Sequence, residues 1–149
     1  MFNTDAVILK KIDSGEADAL FILYTKEYGK MRALAQGVKK EEAKLRGHLE
    51  PLNLTSVSFV LGKNGERLTH ATLKNHWPTI RSNLGKLQTA CVMADLIERN
   101  TMPGERDSAL WEFLTESFGA LECRGGDESI LPKFRQGLVS ILQPEELAV

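Results

Sequence analysis

The sequence lacks a long apolar segment and contains only two cysteines. No run of about 18 apolar residues without charges occurs, which argues against a membrane-spanning helix. The first residues include an acid before the apolar positions and have no small-residue cleavage site of the kind that follows a secretion signal. We therefore expect a soluble, cytoplasmic protein. Cys91 and Cys123 fall on apolar helical patterns, so we expect reduced, buried thiols rather than a disulfide framework.

Motifs for catalysis are also lacking. The sequence contains no GxSxG, no GxxxxGK[ST] and no GxGxxG, and its three histidines have neither HxxxH nor HExxH spacing. We expect no enzymatic activity, no cofactor and no metal. One alternative stays open, because Asp13, Glu16 and Asp18 are of the type that ligates a hard cation in a metal-dependent nuclease. Solvated acids beside a Ser-Gly turn explain the same cluster without a ligand.

Positive charge is concentrated in one segment. Residues 1–80 hold 12 Lys plus Arg against 9 Asp plus Glu, a net charge of +3, and residues 81–149 hold 7 against 11, a net charge of −4. Between Lys26 and Arg46, seven basic residues stand against three acids, a net charge of +4. Such a cluster can neutralise phosphates and release their counterions. On composition alone, a solvated loop explains the charge equally well.

The first half has the pattern of five strands. Short apolar or alternating runs cover residues 6–12, 19–25, 31–36, 52–61 and 67–73, and glycine-containing turns separate them. The run ALFILYT (19–25) is apolar on both faces, so we expect it to be covered on each side. Five short strands hide their edges economically by closing on one another. We therefore expect a small barrel over residues 1–77.

After Trp77-Pro78 the pattern changes to helices. Apolar residues recur at spacings of three and four within residues 80–94, 110–121 and 131–142. Asp107 and Asp127 stand where helix N-caps are expected. The sequence therefore predicts an α+β fold, in which a small helical bundle over residues 78–149 follows the barrel.

Aromatic residues accompany the basic segment. Phe21 and Phe59 follow the pattern of the barrel core. Tyr28 lies at a turn between Lys26 and Lys30, which makes it the better candidate for stacking on a nucleic-acid base. Such stacking is worth about 1–3 kcal/mol per base.

Five short segments of the first half match one protein family in order and spacing. They are TDAVIL (4–9), DSGEAD (13–18), YTKEYGK (24–30), ALAQGVKK (33–40) and LRGHLEP (45–51). They resemble the RecO family of bacterial DNA-repair proteins. The resemblance implies an OB-fold barrel followed by a helical domain, and a non-enzymatic recombination mediator at the nucleoid. Such a mediator binds single- and double-stranded DNA, anneals complementary strands and helps to load the recombinase on coated single strands. The implied partner proteins are RecR and single-strand-binding protein.

The resemblance and the charge pattern together predict a DNA-binding surface around the connection after the third strand. Its predicted members are Lys26, Tyr28, Lys30, Arg32, Lys39, Lys40, Lys44 and Arg46. In an OB barrel this connection lies near the face that binds oligonucleotides. Many family members are longer and carry a four-cysteine zinc module, which this sequence lacks, so we expect a short relative or a part of a longer protein. A protein-interaction module whose barrel no longer binds DNA is the second hypothesis, since the total charge is near neutral.

Overall fold

A computed structural model describes residues 1–36, 47–63, 65–124 and 129–142. Within these ranges, strands occupy the first half of the chain and helices the second. The elements are β1 Phe2–Ser14, β2 Asp18–Thr25, β3 Gly29–Ala35, β4 Leu54–Gly62, β5 Gly65–Asn75, α1 Pro78–Ser82, α2 Leu84–Arg99, α3 Ser108–Cys123 and α4 Ile130–Leu142. The predicted α+β class is confirmed.

The five strands close into a barrel in the order β1-β2-β3-β5-β4. β1 pairs with β2 on one side and with β4 on the other, and β4 pairs with β5, all antiparallel. β3 meets β5 in parallel at Ala33–Glu66 and Leu34–Arg67. A register shift after Ile8 lets the long strand β1 bend and pair with both neighbours. This closure is that of an OB fold, which confirms the predicted five-stranded barrel.

Small and large side chains alternate inside the barrel. Its buried members are Ala6, Ile8, Ala19, Phe21, Leu23, Met31, Ala33, Ala35, Leu49, Val57, Phe59 and Leu68. Phe21 and Phe59 are almost fully buried, which confirms their predicted place in the core. Ala33 lies opposite Phe21 across β2 and β3, and its small side chain leaves space for the ring in the narrow interior of a five-stranded barrel.

The helices cover the outer face of β1 and β2. Val7, Leu9, Ile22 and Tyr24 belong to the same buried cluster as the apolar faces of α2, α3 and α4. Strand β2 is therefore covered on both sides, as its apolar sequence predicted. Because the two halves share this cluster, the predicted division at residues 77 and 78 into separate domains stays a prediction.

Side-chain caps determine where the helices begin. Asn83 Oδ1 accepts a hydrogen bond from the Lys86 amide (3.1 Å) and starts α2, so the first apolar stripe forms a short α1 and a longer α2. Asp107 Oδ1 accepts from the Leu110 amide (3.0 Å), which confirms the predicted N-cap of α3. Asp127 lies outside the described residues. No helix in the described ranges has the length and apolar character needed to span a bilayer.

The prediction that both cysteines are buried was wrong. Cys91 and Cys123 are free, and both are exposed. Ala90 and Leu121, which precede them by one and two positions, face the core instead. Because each residue of an α-helix is rotated by about 100° from the last, a position beside an apolar stripe faces solvent.

Trp77 forms the joint between the barrel and the helices. Its backbone adopts the left-handed conformation (φ 57°), and its indole Nε1 donates to the Leu52 carbonyl (2.8 Å). The ring packs edge-on against Phe118, with 5.7 Å between centroids. Arg81 of α1 donates to the Pro51 carbonyl (2.7 Å). The segment before β4 is therefore bound directly to the start of the helical half.

Candidate nucleic-acid interface

A groove of about 630 Å³ opens at one end of the barrel. Its walls come from the start of β1, the β2–β3 turn, β3, the joined ends of β4 and β5, and the segment between α2 and α3. Aromatic, apolar and arginine side chains meet there, among them Phe2, Tyr28, Arg32, Leu61 and Arg106. We call this feature the barrel-end groove.

Three aromatic rings form the apolar part of the barrel-end groove. Phe2 stacks on Phe59 with 5.2 Å between centroids and an interplanar angle of 19°. Tyr28 stands perpendicular to both, 5.9 Å from Phe2 and 5.3 Å from Phe59. Phe59 is 3% exposed whereas Phe2 is 39% exposed. The barrel core thus continues to the surface as an aromatic cluster.

The β2–β3 turn holds Tyr28 in place. The buried Thr25 hydroxyl donates to the Gly29 carbonyl (2.7 Å) and accepts from the Tyr28 amide (3.0 Å). Gly29 has φ 68°, a conformation that glycine adopts easily. A Cβ atom at this position would also collide with the Glu105 carbonyl. A glycine is therefore required here, because the segment between α2 and α3 approaches the turn so closely.

The segment between α2 and α3 completes one wall of the groove. The Gly104 amide donates to the Lys30 carbonyl (3.0 Å), and Pro103 lies beside Lys30 in a parallel bridge. β5 pairs with β3 only from Ala33 onward, so the start of β3 offers an edge for this contact. The barrel-end groove is consequently built by both halves of the chain.

Two arginines bring positive charge to the groove. Arg32 of β3 is exposed, and it has no ion-pair partner among the residues that the structure describes. The Arg106 side chain is 61% exposed, and its guanidinium lies 3.7 Å from the Glu27 carboxylate. An exposed pair at this distance contributes little and separates easily. Glu66 also lines the groove, so its charge is mixed.

Comparison with known proteins identifies the family. Residues 1–77 match the family model described as "Recombination protein O N terminal". The chain belongs to this family. The resemblance found in the sequence is therefore confirmed.

The relatives of this RecO-family chain carry the name DNA repair protein RecO. The protein from Pelotomaculum thermopropionicum is 28% identical over 133 residues, which are 89% of this chain and 51% of the relative. Those from Gloeothece citriformis and a Synechocystis strain are each 27% identical, over 95% and 99% of this chain and 50% and 54% of the relatives. The chain spans about half the length of these curated relatives.

Lys30 occupies a different environment from the one that its predicted role requires. Its ammonium donates to the carbonyls of Glu98 (2.6 Å) and Thr101 (3.2 Å) and lies 3.9 Å from the Glu98 carboxylate. Only 11% of the side chain is exposed. A cation at this place satisfies the Glu98 carbonyl in the last turn of α2 and complements the helix dipole. This placement argues against the predicted DNA contact, and we leave Lys30 out of the interface.

The other predicted residues of the interface divide into two groups. Lys26 is exposed at the β2–β3 turn, next to the half-buried Tyr28. The structure thus brings Lys26, Tyr28 and Arg32 to one end of the barrel. The remaining four, Lys39, Lys40, Lys44 and Arg46, lie outside the described residues, and their DNA contacts stay predictions.

Sequence reasoning missed Phe2, Leu61 and Arg106. Phe2 lies four residues before the start of the predicted first strand. The alternation of Phe2, Thr4 and Ala6 with the polar residues Asn3 and Asp5 could have predicted that β1 begins earlier. Leu61 is 66% exposed although it ends an apolar run. Arg106 carries no local signal, because only the docking of the segment between α2 and α3 brings it to the barrel.

The acidic residues of the first turn lie on the β1–β2 hairpin. Asp18 pairs with Ser14 across the β1–β2 hairpin, and Asp13 pairs with Ala19. No group of three or more His, Cys, Asp or Glu side chains within the described part of the chain is arranged to hold a metal ion. The structure thus gives no support to the metal-dependent nuclease hypothesis.

Proposed function

We propose that this RecO-family chain acts in DNA repair and recombination as a non-enzymatic, nucleoid-associated DNA-binding protein. In this proposal it binds single- and double-stranded DNA, anneals complementary strands and assists recombinase loading on coated single strands, with RecR and single-strand-binding protein as partners. The observation that carries the proposal is the exposed Arg32 on β3 of an OB barrel. This strand leads directly into the basic connection that begins after Ala35.

Phosphate neutralisation is the physical basis of the proposal. Lys26 and Arg32 are exposed near the same end of the barrel, and Lys39, Lys40, Lys44 and Arg46 follow in the connection after β3. Basic side chains beside an OB barrel hold a nucleic-acid backbone without reading its sequence. Two phosphate chains repel each other, so a surface that neutralises both allows complementary bases to approach and pair. The names of the relatives support the biological setting.

A titration at several salt concentrations tests the proposal. We expect the logarithm of the affinity for labelled single-stranded DNA to fall linearly with the logarithm of salt concentration. A variant in which Arg32 and the four basic residues of the connection are replaced by Ala should show a shallower slope, by about 0.7 for each phosphate that is no longer neutralised. Lys133→Ala, an exposed charge removed from α4, is the matched control and should keep the wild-type slope. An unchanged slope in the five-residue variant would remove these cations from the mechanism.

A protein-interaction module remains the second candidate, because the apolar side chains of Phe2 and Leu61 are exposed at the barrel end. Exposed apolar surface of this kind is also common at protein–protein interfaces. Recovery of a protein partner from nuclease-treated lysate, together with no DNA retention at low salt, would favour this candidate. Binding of both DNA forms by the purified chain would favour the first.

A further inference from the structure

The barrel-end groove offers ring surfaces that need little ordering before they bind. Phe59 is fixed in the barrel core, and Phe2 and Tyr28 pack against it. Hydrogen bonds through Thr25 fix the backbone at Tyr28. Ligand binding to a preorganised surface avoids much of the entropic cost of immobilising side chains. A planar partner can therefore stack on this cluster with little rearrangement.

The volume of the groove and its wall of docked chain limit what can enter. About 630 Å³ lies within the range of sites that hold small organic groups, roughly 300–1,000 Å³. The α2–α3 segment, held by the Gly104–Lys30 hydrogen bond, closes one side. Bases in a duplex have their faces buried against neighbouring pairs, whereas an unpaired base can swing out and offer its face to an aromatic side chain.

The mixed charge of the groove favours a neutral ligand, such as a base, over an acidic peptide. Arg32 and Arg106 are the exposed cations of the described groove lining, and the Arg106–Glu27 pair is open to solvent and separates easily. The Lys30 ammonium is instead bound to the carbonyls of Glu98 and Thr101. Glu27 and Glu66 also line the groove and oppose any anion, whether a peptide carboxylate or a phosphate, so the group that enters the groove itself should be neutral. A neutral base suffers no such repulsion, and a carboxylate can accept a hydrogen bond from an N–H on the Watson–Crick edge of an unpaired base.

We propose that the barrel-end groove binds unpaired bases on the Phe2–Tyr28 cluster and thereby gives this chain a preference for single-stranded over fully paired DNA. The proposal rests on the proposed DNA-binding function and adds a site and a basis for discrimination. Arg32 and Arg106 hold the flanking phosphates.

The test compares two DNA probes on ring-deleted variants of the full chain. One probe is a labelled oligothymidylate. The other is a blunt-ended hairpin duplex whose strands are joined by a non-nucleotide linker, so that it contains no unpaired base. Phe2→Leu combined with Tyr28→Leu removes the π faces and keeps apolar bulk. We expect affinity for the single strand to fall roughly 5- to 150-fold for each base that can no longer stack. Affinity for the duplex should stay at the wild-type value.

Two control variants separate stacking from general apolar contact. Tyr28→Phe keeps the ring and should retain wild-type affinity for the single strand. Leu84→Ala removes exposed apolar surface at the start of α2, outside the groove, and it should also leave affinity unchanged. As a direct readout, a single strand that carries the fluorescent base 2-aminopurine should be quenched by the wild type and by Tyr28→Phe. The double variant should not quench it.

The outcomes separate this inference from the function on which it rests. If the wild type binds neither probe at low salt, the proposed function fails. If the wild type binds DNA with a clear salt dependence but the double variant binds the single strand equally well, only the groove proposal is overturned. Equal reductions in affinity for both probes, or a reduction in Leu84→Ala as large as that in the ring variant, also overturn it. Thermal melting checks folding, and should the double variant unfold, Phe2→Leu alone tests the most exposed ring.

Discussion

Two apolar regions on the outside of the barrel have opposite uses. The first is the seam, where Val7, Ile22 and Tyr24 of β1 and β2 are buried under the helices. The second is the barrel-end groove, where Phe2 and Leu61 stay exposed although their neighbours are core. The helices therefore occupy part of the outer sheet face that an oligonucleotide would otherwise reach. Arg32 on β3 and the apolar side chains at the end of the barrel stay exposed. Apolar surface left exposed beside a complete core is typical of a binding site.

The same contrast appears between two basic residues on one strand. Lys30 and Arg32 are two positions apart on β3, so their side chains leave the same face of the sheet. The Lys30 ammonium is enclosed by carbonyls at the end of α2, whereas Arg32 is exposed. One cation stabilises the contact between the two halves, and the other is available to a ligand. Position on the strand alone does not distinguish them.

The largest expected loss of stability comes from removing a buried side chain on the helical side of the seam. Phe118 is fully buried and packs against the Trp77 ring, so Phe118→Ala should reduce the free energy of unfolding by about 3–5 kcal/mol. Leu61→Ala in the groove should change it by no more than about 0.5 kcal/mol, because this side chain is already exposed. Chemical denaturation of both variants measures the difference. Similar reductions in the two would contradict the assignment of the groove to binding rather than stability.

The second expected effect concerns the cation that fastens the two halves. Lys30→Met keeps the apolar stem but removes the donor for the Glu98 and Thr101 carbonyls. We expect the free energy of unfolding to fall by about 1.5–3 kcal/mol, the usual value for hydrogen bonds to a charged group. The salt dependence of DNA binding should not change. A shallower salt slope with unchanged stability would restore Lys30 to the interface.

Arg32→Ala is the counterpart of that experiment and should have the reverse result. The slope of log affinity against log salt for single-stranded DNA should decrease by about 0.7, which corresponds to one phosphate that is no longer neutralised. The melting temperature should stay close to the wild-type value, because the side chain is exposed. Lys133→Ala provides the control for a change of net charge. If both variants shift the slope equally, Arg32 contributes only to the general field of the protein.

Local patterns predicted the barrel, but they could not predict the groove. Alternation and glycine turns identify the strands because a strand's side-chain period is fixed, and Phe21 and Phe59 were placed correctly for that reason. The hydrogen bonds of the Lys30 ammonium depend on the carbonyls of Glu98 and Thr101, which come close to it only when α2 packs on the barrel. Arg106 enters the groove by the same docking. Contacts between distant segments leave no local signal in a single sequence.

Glu122 is a second charged residue, after Lys30, whose side chain joins two elements of the fold instead of facing solvent freely. Near the end of α3, its carboxylate accepts hydrogen bonds from the amides of Thr79 (3.0 Å) and Ile80 (2.9 Å) at the start of α1. Burial acts to raise the pKa of Glu122, but the hydrogen bonds from Thr79 and Ile80 outweigh it, and the pKa is lowered below its ordinary value of 4.5.

The lowered pKa of Glu122 predicts the smallest of these effects, a loss of stability in acid. A carboxylate whose pKa is lower in the folded state stabilises the fold above its ordinary pKa, and this contribution disappears as the pH falls through the folded value. Glu122→Gln should therefore be less stable than the wild type at neutral pH, by under about 1 kcal/mol since the group is near solvent. The difference should vanish in strong acid, where the wild-type carboxyl is also neutral.

Glu116→Gln, an exposed position on the same helix, is the control, and melting of the three proteins across the acid range measures the effect. A difference between wild type and Glu122→Gln that stays constant into strong acid would mean that the shape of the side chain, and not its charge, holds α1 to α3.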